Sequence, residues 1–398
     1  MKISPIITFV QCHIPKNMRA DIATSVLIKF NLFIVLAMLT LFQMGTARAQ
    51  NSGFQGSEVA SILDQASIEQ ESLGKIYLSD LFLSPRISYS EPKTGSFMLG
   101  NSYLAADWTR GDMVSGHFAF GTKSLIGPPA RYGVVNDQEF GLVEGYAQMV
   151  TQYGRFRLGL QPIPFGMQSG INEANLRFER SLIYQKRLVG IRDIGFGYSI
   201  TSDGFFSDWL IHNGEGGRDL DNQTWFTARL GYHKNYITVG ASGQTGKTNP
   251  LSTDPTGTLA TTPAGNYQST GINIDDNGKY RLLNVFFAYR TKEVESSFEI
   301  TSGDIFQSQV TSHPSSGHVD VFLPFGDVYA GLFRYDFYDP KNLIDPTLQQ
   351  YTVGVCLRST YETSNIYVLG SRNVLPAPQS DSHQVLLVWR VSPFSSRY

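Results

Sequence analysis

From Lys75 onward the chain is written in runs of about eight to twelve residues that alternate apolar and polar side chains. A strand sends successive side chains to opposite faces, so each run offers one face to hydrocarbon and one to water. In 154–162, Phe156, Leu158, Leu160 and Pro162 share one face, and Arg155, Arg157, Gly159 and Gln161 share the other. In 225–232 the apolar set is Phe226, Ala228, Leu230 and Tyr232, opposed by Thr227 and Arg229. Val294, Phe298 and Ile300 oppose Glu295, Ser297 and Glu299, and Tyr351, Val353, Val355 and Leu357 oppose Gly354, Cys356 and Arg358. The stretch 281–290 departs from this pattern, being apolar on both sides.

The pattern predicts about sixteen strands, give or take two, centred near residues 78, 87, 104, 118, 145, 158, 196, 209, 229, 239, 285, 298, 331, 354, 367 and 387. Connections alternate in length. Tight ones fall at 109–112, 152–154, 233–235 and 290–292, long ones at 163–191, 243–279, 303–325 and 371–382. Short turns on one side and long loops on the other are the plan of a transmembrane barrel. A soluble sandwich also alternates, but here aromatics gather near strand ends: Tyr103 and Trp108, Phe205, Phe206 and Trp209, Trp225 and Phe226, Tyr335, Phe337 and Tyr338. Rings of that kind form the girdles of membrane barrels. The expected fold is therefore all-β, a transmembrane antiparallel barrel.

Composition removes other classes. Charged residues are 17% of the 398, the formal charge is −2, and there is no strongly basic block, which argues against a nucleic-acid partner. A mean hydropathy of −0.15 excludes a polytopic helical membrane protein. The two cysteines, Cys12 and Cys356, exclude a disulfide scaffold and a Cys-ligated zinc protein.

The first 49 residues read as a secretory signal peptide. Lys2, Lys16, Arg19 and Lys29 make a basic head, 32–42 an apolar middle, and Ala47-Arg48-Ala49 the exit. The head is long, and a start at Met18 would give a conventional signal. The apolar run is too short to serve comfortably as an anchor. Residues 1–49 hold five bases and the single acid Asp21, so their removal takes the formal charge from −2 to −6 and leaves Cys356 as the sole cysteine. Residues 50–74 are expected to be a periplasmic tail or short helix, and 75–398 the barrel.

Four segments in order, Leu158–Gly166, Phe178–Leu182, Arg192–Gly195 and Ile211–Gly216, resemble the phosphate-selective porin O and P family of bacterial outer membranes. The likeness is good over about a fifth of the chain and loose over about half. Leu188-Val189-Gly190-Ile191 stands where that family usually carries a proline, and His212 replaces a phenylalanine. The resemblance implies a sixteen-stranded homotrimer embedded in outer-membrane lipid, with one loop folded into the lumen. Phosphate as the solute does not follow from it.

Segment 163–191, leaving the sheet through Pro162, Pro164 and Phe165, is the candidate inward loop, with 172–184 as a short helix. Residues 155–193 hold seven bases and three acids, a local charge of +4 in a mature chain of −6. A low-dielectric wall focuses such a field, and rings of Arg or Lys favour anions. The expected constriction is Arg155, Arg157, Arg177, Arg180, Lys186, Arg187, Arg192 and Arg229, with small inorganic or organic anions as partners. Arg334 and Arg358 also fall on polar faces. The opposing expectation is that charges pair off: Glu179 with a loop arginine, Asp193 with Arg192, Asp336 with Arg334.

Enzymatic readings lack residues. His313 and His318 are poorly spaced as metal ligands, no Gly-x-Ser-x-Gly elbow occurs, and no Walker-type loop is present. Nothing implies a cofactor. The sequence expectation is a porin, and its alternatives are a non-conducting adhesin or anchor barrel, or an exported soluble sugar-binding β-protein.

Overall fold

The computed structural model describes residues 74–90, 93–126, 139–169, 171, 173–186, 188–214, 223–247, 279–306, 311–341, 347–358, 364–376 and 381–392. All the described residues belong to one compact unit. The signal expected over 1–49, the tail over 50–73 and Arg187 lie outside the described residues.

Nineteen strand segments join in a single sheet. Two of them, β1 (Lys75–Phe82) and β2 (Pro85–Ser90), are halves of one pass, because β3 (Lys93–Leu99) and β4 (Tyr103–Arg110) return along them in sequence. Each strand then pairs antiparallel with the next: β5 (Val114–Thr122), β6 (Phe140–Thr151), β7 (Gly154–Pro162), β8 (Arg192–Ser202), β9 (Phe205–His212), β10 (Trp225–Lys234), β11 (Ile237–Lys247), β12 (Lys279–Arg290) and β13 (Glu295–Phe306). The two-residue β14 (Thr311–Ser312) and β15 (Ser315–Phe325) share β13 as partner and make one pass. The series ends with β16 (Tyr329–Asp339), β17 (Leu348–Arg358), β18 (Ser364–Val374) and β19 (Ser382–Val391). Taken this way, the nineteen segments are sixteen passes.

The last strand returns to the first. β19 pairs with β2 from Gln384 opposite Ser90 to Val388 opposite Arg86. Leu83 and Val391 exchange backbone hydrogen bonds of 2.9 Å in both directions. Closure removes the sheet edge, which lipid could not satisfy.

All sixteen expected centres fall inside strands, but two assignments change. Centres 78 and 87 belong to one pass, and 303–325 is not a loop, since β15 occupies Ser315–Phe325. The total of sixteen is unchanged, because joining 78 and 87 removes one pass and β15 adds one. β15 was hidden by its opening Ser315-Ser316-Gly317 and by Pro324, all turn formers in isolation. Its alternation is nonetheless regular, with Val319 and Leu323 outward and His318 and Phe322 buried. The long connections at 243–279 and 371–382 are also shorter than expected, because β11 runs to Lys247 and β18 to Val374.

The tight turns expected at 109–112, 152–154, 233–235 and 290–292 each join two strands within about two residues of those positions, and Gly111 and Asn235 have positive φ, 62° and 54°, as short hairpin turns require. A further turn at Asp203-Gly204, with φ 49° and 86°, joins β8 to β9. The outward face is apolar around the ring: Leu158 is 64% exposed, whereas Gln161, three residues on, is 3% exposed. The aromatics divide. Trp108, Trp209, Phe226, Tyr335 and Phe337 lie on the outward register with Leu104, Ile211, Leu230 and Phe333. Tyr153, Phe205, Tyr236, Phe325 and Tyr329 are exposed at the short-turn end. Tyr103, Phe206, Trp225 and Tyr338 instead face the lumen. There a glycine on a neighbouring strand makes room: a Cβ at Gly246 would sit 2.3 Å from the Trp225 ring, and one at Gly231 would sit 2.3 Å from Phe206.

Candidate functional site

The loop 163–191 enters the lumen through a corner set by its sequence. Pro162 and Pro164 fix the exit, and Gly166 (φ 60°) turns the chain inward. A Cβ there would lie 2.1 Å from the Glu299 carboxylate, so the loop reaches the wall of β13 only because position 166 is glycine. Gly166 N donates to Ser242 Oγ at 2.7 Å and Met167 N to Glu299 Oε2 at 3.1 Å. Gln168 Nε2 meets His318 Nε2 at 3.1 Å, and its Oε1 accepts from Ser181 N at 2.8 Å. Farther on, Leu182 N donates to Asp336 Oδ2 at 2.7 Å, Arg334 to the Glu179 carbonyl and Arg390 to the Leu176 carbonyl.

An apolar plug backs these bonds. Ile163, Phe165, Leu182, Ile183, Leu188 and Val189 pack against Leu210, Trp225, Tyr280 and Leu282 of the wall. The helix expected over 172–184 is not formed. Among the described residues only a 3-10 turn at Glu173–Asn175 and a helical turn at Leu182–Gln185 appear, and the amides of Ser181 and Leu182 donate to the side chains of Gln168 in the loop and Asp336 on the wall rather than along a helix.

The predicted basic residues do not share one role. Arg180, 5% exposed, donates to Glu173 Oε1 at 2.6 Å and to the Gln168 and Ile171 carbonyls. Arg192, 3% exposed, joins Glu144 at 2.7 Å and Glu173 at 3.3 Å. Glu173 is therefore clamped by two guanidiniums. Burial alone would raise its carboxyl, but Arg180 and Arg192 together outweigh burial and hold it below the ordinary carboxylate range. Arg177 pairs with Glu295 and lies 4.3 Å over the Phe322 ring. Arg229 pairs with Asp208 at 2.7 Å and donates to the Gly166 carbonyl at 3.3 Å. Arg157 donates to the neutral Gln148 at 2.9 Å and covers the Tyr146 ring at 5.0 Å. Arg155 is exposed near the short-turn end, and Lys186 is half-buried in the loop.

Charge pairing is extensive, but not with the partners the sequence suggested. Glu179 joins Arg86 of β2 at 2.5 Å, Asp193 joins His212 at 2.6 Å, and Arg334 joins Asp320 at 2.5 Å. Sequence reasoning passed over Arg86 and Arg390. Parity within their strands places both on the lumen face, opposite Ile87 and Leu387. Both line a cavity between the loop and β1–β2, beside Ser84, Asn101, Glu179 and Gln185. The Nε atoms of Arg86 and Arg390 are buried and find no acceptor among the described residues.

No protein-family model matches the chain, and no curated protein matches it. Solved structures do match. An anion-selective porin from Comamonas acidovorans superposes with a TM-score of 0.57 at 12% identity, covering 80% of this chain and 99% of that one. In-vitro folded OmpT in a trimer form, an outer membrane protein of Vibrio cholerae, gives 0.56 at 12% identity over 80% and 99%. A porin structure refined at 1.8 Å gives 0.51 at 12% identity over 80% and 100%. The likeness is one of fold, and the resemblance to phosphate-selective porins narrows to it: the chain has the antiparallel β-barrel fold of outer-membrane porins.

Proposed function

We propose that this protein is an outer-membrane porin, a passive pore for small hydrophilic solutes that prefers phosphate-like anions, works as a homotrimer and catalyses nothing. The observation that carries this reading is the closed sheet with an apolar outer belt and a polar lumen narrowed by loop 163–191. A closed sheet pairs its backbone amides strand to strand inside lipid, and the short-turn end, where the first and last strands also terminate, faces the periplasm.

Support for the anion preference comes from the guanidiniums that no described carboxylate holds. Arg157 leans on Gln148, Arg390 on the Leu176 carbonyl, and Arg155 stands free at the periplasmic mouth. The paired arginines, such as Arg180 and Arg192, fix the loop and contribute little field. The anion-selective porin and the trimer form among the structural relatives point the same way.

Single-channel recording in planar lipid under a salt gradient tests this. Stepwise conductance with an anion-signed reversal potential is expected. A cation-signed reversal overturns the preference. A folded but silent barrel overturns the pore, and leaves the adhesin or anchor reading in its place.

A further inference from the structure

On the outward face near the loop end, Lys247 of β11 stands directly opposite Lys279 of β12, and Arg281 follows two residues on, opposite Thr245. All three are exposed. Like charges directly opposite one another across a strand pair destabilise it, so this register calls for a counter-anion. Other cations at the same end have one in the chain itself: Lys123 holds Glu139 at 2.6 Å, and Arg372 holds Asp381 at 2.6 Å. No described carboxylate pairs with Lys247 or Lys279. Arg281 faces Asp304 in register, and Asp304 also binds His313 at 2.6 Å.

Just toward the membrane from these cations lies an apolar groove. Ala228 and Gly243 form its floor and Phe226 and Leu283 its sides, with Arg281 and Asp304 at its head. Leu283 is 70% exposed. Cations at a membrane interface above an acyl-sized apolar trough suit an amphiphile with an anionic head.

We infer that this face binds a phosphorylated, multiply acylated lipid of the outer leaflet, its phosphate on Lys247, Lys279 and Arg281 and one acyl chain along Ala228 and Gly243. The inference rests on the outer-membrane orientation proposed above.

The test reconstitutes the purified full barrel in phosphatidylcholine vesicles with lipid A bearing both phosphates. The barrel is then extracted in mild detergent, and retained lipid is read by native mass spectrometry. Wild type is expected to retain lipid A, and K247Q/K279Q/R281Q to bind it on the order of a hundredfold more weakly. Gly243→Leu keeps the charges but fills the groove, where even a Cβ would lie 3.4 Å from Leu283 Cδ2, and is expected to weaken retention about tenfold. Equal retention by wild type and the triple variant overturns the inference, as does equal retention of dephosphorylated lipid A. So does a disulfide between copies through Leu283→Cys that forms with lipid A excluded, since it makes this face a contact between barrels. Conductance of the same samples separates the two readings. A conducting wild type that retains no lipid A overturns this site alone, and a silent wild type that retains it overturns the pore and upholds the site.

Discussion

Glu173 shows how one side chain can hold a loop in place. It bridges Arg180 of the loop and Arg192 of β8, which also reaches Glu144 of β6. Replacing it with Gln leaves two buried cations short of charge. Breaking a buried pair costs about 3–5 kcal/mol; the loss here is expected at the low end, because Arg192 keeps Glu144 and Arg180 keeps two carbonyls. Guanidinium unfolding of Glu173→Gln in detergent, alongside open-channel noise, checks this: lower stability and noisier current are expected. The same group sets a pH dependence. Its folded carboxyl titrates below the ordinary range, so its contribution is full above that range and disappears only as pH falls through the lowered value. Current noise is therefore expected to stay flat through mildly acidic pH and to rise only in strong acid. Noise that rises already near neutrality would assign the anchoring to another group. Part of this residue-scale picture was legible beforehand. Alternation alone set Arg157 and Gln161 on the lumen face. The pairing of Arg180 with Glu173 was not, because it depends on the path of an irregular loop, which has no period to read.

Single elements were legible in proportion to their regularity. β7, β10 and β17 alternate cleanly and were placed to within a residue or two. β15 alternates as well, but its serines, glycine and proline read as turn chemistry until β13 and β16 are seen to flank it. The loop 163–191 was placed correctly as an element yet given a helix over 172–184 that it does not form, and there the amides of Ser181 and Leu182 bond to the side chains of Gln168 and Asp336. A prediction belongs at this scale. Gly166→Ala would force a Cβ against the Glu299 carboxylate in a left-handed backbone conformation. Strain of that kind costs about 1–3 kcal/mol. The corner is expected to swing off the wall of β13, leaving the barrel folded and the single-channel conductance larger and more variable. An unchanged conductance would show that the rest of the loop, chiefly the apolar plug around Phe165 and Leu182, holds it without the corner.

At the scale of the whole molecule, the outward belt and the lumen have opposite rules for the same substitution. Leu158 and Arg157 are neighbours on β7, one facing out and one facing in. In lipid, Leu158→Arg is expected to cost about 2–4 kcal/mol, the penalty for a cation on the hydrocarbon face of a barrel. A sandwich would penalise the change through core packing, and would do so equally in water and in vesicles. Folding yield and urea stability in phosphatidylcholine vesicles, compared with detergent micelles, distinguish the two. Across the sheet, removing Arg155 and Arg157 together should leave that stability nearly intact, because no described carboxylate depends on either. What it should change is the field: the lumen loses two cations that its low-dielectric wall had focused, and the reversal potential under a salt gradient moves toward the cation side. If the double Ala variant instead fails to fold while Leu158→Arg folds normally, the inside and outside of the barrel have been assigned the wrong way round.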